Sequence, residues 1–126
     1  MNLSIRLSLA TVLFALGTAA HAACAYPQAP QNIPNGATAT KEQMVAAQAQ
    51  VKEYANAVQN VYLPCLEKEK EDAVALLDPS DPEYAQKKLA LESIQAKKHN
   101  AALDELTAIA GRWSEEIKAF NDASKK

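Results

Sequence analysis

From Met44 onward, apolar side chains recur at alternating steps of three and four: Met44, Ala47, Val51, Tyr54, Val58, Val61 and Cys65, with polar residues between them. That spacing places one apolar stripe along a helix, the pattern of a coiled-coil seam. The start of the helix is also marked. Thr40 followed by Gln43 fits a capping box, in which the hydroxyl and the amide each satisfy a free backbone N–H. Pro64 has no N–H and crowds the carbonyl one turn back, so a kink near Leu63, or a break into two collinear helices, is expected. Helical signal then resumes through Leu66, Ala73, Leu76 and Leu77.

The run "DPSDPE", Asp78 to Glu83, reads as a turn, with Asp81 capping and Pro82 opening a second helix that continues to about Asn121. Its expected seam is Ala96, His99, Leu103, Leu106, Ala110, Trp113, Ile117 and Phe120. Leu91, Ile94 and Ile109 lie off that seam and widen the apolar face. At ~1.5 Å per residue each helix is ~55–60 Å long, so the two match and are expected to fold back on one another. The predicted fold is all-α: a long antiparallel helical hairpin spanning 41–126, preceded by an extended arm. That arm, residues 23–40, carries Pro27, Pro30, Pro34 and the Asn35-Gly36 pair, which exclude helix and central strand and favour a polyproline-like course.

The first 22 residues have a different pattern. One Arg precedes an apolar run of roughly 11 residues, and Ala20 and Ala22 form an A-x-A site. The run is far short of the ~20 residues that a membrane-spanning helix needs, and no later segment is apolar enough to span. Residues 1–22 are therefore expected to be a secretory signal peptide, and the mature protein to be periplasmic or secreted. Without Arg6, 12 basic residues stand against 15 acidic ones, a net charge of −3. Such a chain has no electrostatic reason to seek nucleic acid.

Export makes the two cysteines informative. Cys65 falls ~36 Å into its helix, and an extended arm of ~3.1 Å per residue reaches ~50 Å, so Cys24 can run back along the helices to meet it. In an oxidising compartment the expected outcome is a Cys24–Cys65 disulfide, worth roughly 2–4 kcal/mol, that staples the arm over the helices with Tyr26 and Ile33 as apolar contacts. The alternative is a lipid anchor on Cys24, although His21 stands where a lipoprotein signal usually has Leu. No Cys-x-x-C motif is present to support thiol–disulfide exchange.

Catalytic constellations are thin. His99 is the single histidine downstream of the signal, too little for a triad or a zinc site, and no metal or cofactor is expected. Glu67, Glu69, Glu71 and Asp72 alternate with Lys68 and Lys70, and Glu115 and Glu116 follow Trp113. These read as solvated helix faces; a small envelope hydrolase would need two desolvated carboxylates among them. The pairs Lys87-Lys88, Lys97-Lys98 and Lys125-Lys126 are too scattered to form an anionic-polymer site. Gly111, which costs a helix interior roughly 1 kcal/mol, marks a close crossing or a bend.

Cys24, Pro27, Pro30, "IPNG" at Ile33 to Gly36, Met44, Tyr54 and "YLPCL" at Tyr62 to Leu66 together resemble small exported helical proteins of Gram-negative bacteria. The resemblance covers the arm and the first helix. It implies an envelope location and paired cysteines, and no activity carries over with it. The functional expectation is a non-enzymatic protein that works through protein–protein contacts as a scaffold, adaptor or modulator. Leu91, Ile94, Ile109 and Trp113 are the candidate interface, with a homodimer among the expected partners.

Overall fold

The computed structural model describes residues 23–125, and the expected signal peptide lies outside them. Helix accounts for 73% of the described residues, and no strand occurs among them. The elements are α1 (Lys41–Ala57), a π-helical turn (Val58–Tyr62), α2 (Leu63–Ala75) and α3 (Tyr84–Ala123). α1, the π turn and α2 follow without a gap, so the described residues contain two long helical stretches, and α3 packs against both α1 and α2. No helix among the described residues is long and apolar enough to cross a membrane.

α1 begins as its sequence signature requires. Thr40 Oγ1 accepts from the Gln43 amide at 3.2 Å, and Gln43 Oε1 accepts from the Thr40 amide at 2.8 Å, which closes the capping box. Met44, Ala47, Val51, Tyr54 and Val58 are buried, as the three-four spacing predicts. Beyond Val58 the register changes: Tyr62 and Leu66 are buried, whereas Val61 is 63% exposed and Cys65 is half-buried.

Pro64 is the cause. An α-helical Pro64 would press its ring on the carbonyl of Asn60 and leave that carbonyl without a donor. The backbone widens by one residue instead, with the Leu63 amide bonding to the Val58 carbonyl five residues back. Val58 and Leu63 both keep right-handed helical dihedrals, so the helix continues through the proline. The inserted residue rotates everything downstream, and the buried positions step by four from Tyr54 through Val58 and Tyr62 to Leu66.

The turn between α2 and α3 is built from two aspartates. Asp78 Oδ1 accepts from the Ser80 amide at 2.8 Å and Asp81 Oδ1 from the Glu83 amide at 2.8 Å. Lys87 Nζ and the Glu83 amide hold the Asp81 carboxyl below its ordinary range. α3 itself starts at Tyr84, two residues after the predicted Pro82, and ends at Ala123, two residues beyond Asn121.

The face that α3 presents differs from the predicted seam. Ala96, His99, Leu103 and Ala110 are exposed. Leu91, Gln95, Lys98, Leu106, Ile109, Trp113, Ile117 and Phe120 are half-buried, and Ala102 is fully buried. The fit favours small Ala102 over larger Leu103, because a methyl lets α3 approach the cluster of Tyr54, Val58, Tyr62 and Leu66 closely. Lys98 can occupy this face because its stem lies along the contact while its ammonium reaches Glu69 across to α2 at 3.1 Å.

Candidate functional site

Residues 23–39 form neither helix nor strand and lie against both long helices. At the first end, Cys24 Sγ sits at bonding distance from Cys65 Sγ, 2.04 Å, with the Cα atoms 5.8 Å apart. The same sulfur would be the attachment point of a lipid anchor. The π turn contributes to this meeting, since the one-residue rotation that buries Leu66 moves Cys65 to the flank where Cys24 arrives.

Two residues on, the Tyr26 ring meets Tyr62 edge to face, with centroids 4.9 Å apart and planes at 88°. Its hydroxyl donates to Glu105 Oε2, which leaves the Tyr54 hydroxyl as the donor in the 3.1 Å bond between the two phenols. Burial of that hydroxyl, followed by its bonds to Glu105 and Tyr54, raises the Tyr26 phenol above its ordinary range. Ala29 packs on the core cluster, and Ile33 is buried. Arg112 Nη2 donates to the Ile33 carbonyl at 3.4 Å.

The far end is fixed by Gly36. Its amide donates to Glu116 Oε2 at 2.7 Å, and its Cα lies so close to α3 that an added Cβ would fall 1.8 Å from the Glu116 carbonyl oxygen. Only glycine allows this approach. The Asn-Gly pair signals a turn in the sequence, and Asn35 does form one, its carbonyl accepting from Thr38 and Ala39 at 3.2 and 2.9 Å. The close crossing carries no separate local signal, because it depends on where α3 passes. At Gly111, where a close crossing or a bend is expected, no close crossing occurs: nothing stands within 4 Å of a Cβ there.

The carboxylates are mostly occupied by near neighbours. Lys68 pairs with Asp72 at 2.9 Å, Lys70 with Glu67, and Lys98 with Glu69. The hydrogen bond to Glu67 holds the Lys70 ammonium above its ordinary range. Glu116 is half-buried and engages Gly36, whereas Glu115 is exposed. His99 faces a shallow polar cleft of about 420 Å³ with Glu67, Lys70 and Glu92 on its walls. No group of three or more His, Cys, Asp or Glu among the described residues is arranged to hold a metal ion.

Of the four candidate interface residues, Leu91, Ile109 and Trp113 are half-buried and Ile109 packs against the core cluster. Ile94 alone faces outward, 51% exposed. A larger and more apolar concavity lies elsewhere, along the π turn and α2. It is an open groove of about 850 Å³ beside the Cys24–Cys65 pair, lined from Asn60 and Val61 at one end to Leu76 at the other. No family model, curated protein or solved structure matches this chain.

Proposed function

We propose that the protein is an exported, non-enzymatic helical hairpin of the cell envelope. Its proline-rich N-terminal arm is stapled across both helices, and it acts through protein–protein contacts as a scaffold, adaptor or modulator. The observation that carries this reading is the placement of Cys24 against Cys65, because such a bond persists in oxidising compartments and is rare in the cytosol. The signal-like residues 1–22 support the same location. The exposed apolar groove on α2 supports a role in contact, since an apolar hollow rimmed by charged residues is the usual form of a docking surface.

The test is the intact mass of the protein recovered from a Gram-negative host, with and without reduction. A chain beginning at Ala23 and two hydrogens lighter before reduction is expected. An acyl mass on Cys24 would establish the anchored alternative. A full-length chain with two free thiols would overturn export altogether.

A further inference from the structure

Three separate parts of the chain line one cleft at the covered end of the molecule. The N-terminal segment gives Gln31 and Asn32, α1 gives Gln43 and Gln50, and α3 gives Arg112, around an open volume of about 470 Å³. Small-ligand sites occupy ~300–1,000 Å³. Pro34, Ala46 and Ala47 add a short apolar wall, and no carboxylate lines the cleft. Because residues 31–34 form one side of it, the cleft exists only while that segment lies against the helices.

Hydrogen bonds at its edge decide which atoms are left for a ligand. The Thr40 amide is a donor, so the Gln43 atom it meets at 2.8 Å is Oε1, and the Gln43 NH2 group is left to donate elsewhere. The Ala29 carbonyl can only accept, so the Gln31 atom at 3.3 Å is Nε2, and Gln31 Oε1 is left to accept. Arg112 has five N–H donors, and its bond to the Ile33 carbonyl, a long one at 3.4 Å, uses one of them. No carboxylate of the described residues pairs with Arg112 within 4 Å. Glu116, one turn further along α3, is turned to the Gly36 amide instead.

A planar cation with unspent donors, sharing a cleft with the Gln43 NH2 group, is complementary to a carboxylate, which a guanidinium holds through both oxygens. A polyanion does not suit it. Arg112 is the only cation lining the cleft, and beyond Arg6 the chain sets 12 basic residues against 15 acidic ones. The amides of Gln31, Asn32 and Gln50 offer both donors and acceptors, as the N–H and C=O of a peptide group require. No aromatic ring lines the cleft for a sugar face to stack on. We infer that this cleft binds the C-terminal carboxylate of a peptide, with Arg112 and Gln43 holding the carboxylate and the other three amides meeting the peptide groups behind it. The inference gives the partner of the protein-contact reading above its chemistry and rests on that reading.

Titration of the oxidised mature protein with acetyl-Ala-Ala, followed in ¹H–¹⁵N correlation spectra, tests the inference, with far-UV circular dichroism to establish that each variant is folded. Saturable shifts of the Arg112 Nε–H and Gln43 NH2 resonances are expected. The C-terminal amide of the same peptide should bind at least about tenfold more weakly, and Arg112→Gln should weaken binding of the acid by a similar factor. Arg112→Lys should recover only part of the loss, since an ammonium cannot grip both oxygens in one plane. Absence of saturable shifts up to about 50 mM, well above the ~1 mM scale of weak specific binding, overturns the inference. So does equal binding of acid and amide, or binding that Arg112→Gln leaves unchanged. Tighter binding of glucuronate than of the peptide overturns the peptide assignment. Failure to bind by a chain recovered processed and oxidised overturns the cleft alone, whereas free thiols on an unprocessed chain overturn the exported-hairpin reading.

Discussion

The two ends of the molecule are built from the same pair of helical stretches, yet only one of them has a core. Among the described residues, the first stretch and the segment before it, from Ile33 to Leu66, supply every buried side chain but one, and Ala102 of α3 completes the cluster. From Glu67 to Ala101 no residue is buried, although Leu76 and Leu89 are there to be used and stand 77% and 67% exposed. The difference is a third wall. Two helices in contact cover only a stripe of each other, and full burial needs another element across the gap. Residues 23–36 provide it at one end, and no other described segment provides it at the other.

The largest effect should come from releasing that wall. Reduction, or Cys24→Ser, should lower stability by roughly 2–4 kcal/mol, because the bond closes a loop across 41 residues of sequence. Hydrogen exchange should then quicken in α1 and the second half of α3 and stay unchanged in residues 84–98. Equal quickening throughout would mean that the two ends are one cooperative unit and the comparison fails.

Gly36→Ala comes next. Its Cβ would strike the backbone of α3, which no side-chain rotation can relieve, so a loss of roughly 1–3 kcal/mol is expected in denaturant titration. An unchanged midpoint would show that the Gly36 crossing does not hold the wall in place.

Tyr26→Phe removes the hydroxyl bonds to Glu105 and Tyr54 and should cost about 0.5–1.5 kcal/mol at neutral pH. It should also change the alkaline limb of the stability curve. The folded chain holds Tyr26 neutral above its ordinary value of 10.0, whereas the unfolded chain ionises there. The stabilisation is therefore complete below pH 10 and falls as the pH rises beyond it, and the phenylalanine variant should decline less steeply.

Gly111→Ala, at an open site in α3, should stabilise by about 0.5–1 kcal/mol. At the uncovered end, Leu89→Ser should move stability by no more than about 0.5 kcal/mol in either direction, which thermal unfolding can read. A larger loss would reveal a cover over that end.

Where the sequence could be read reliably, the signal was local. Thr40 and Gln43 sit three residues apart, and their reciprocal bonds involve nothing distant. The stripe from Met44 to Val58 obeys one helical period without interruption. Val61 and Cys65 leave the buried stripe because the backbone answers Pro64 with an extra residue in one turn, at the place where a kink or a break into two collinear helices is expected from the sequence. On α3 the hydrophobic ranking favoured Leu103 over Ala102, but the approach distance to Tyr54 and Tyr62 favours the methyl. The groove on α2 was not legible at all, since it depends on the rotation at the π turn and on where Cys24 docks.

By itself, then, the sequence determined the helices, the start of the first, the turn between them, the non-helical proline segment and the two cysteines able to meet. Each follows from spacing and backbone chemistry within a few residues, or from chain length alone. Tertiary structure decided which face of each helix is inside, which glycine is irreplaceable and which apolar residues remain outside. Those depend on the distance between backbones that are far apart in sequence, and no local pattern encodes that distance.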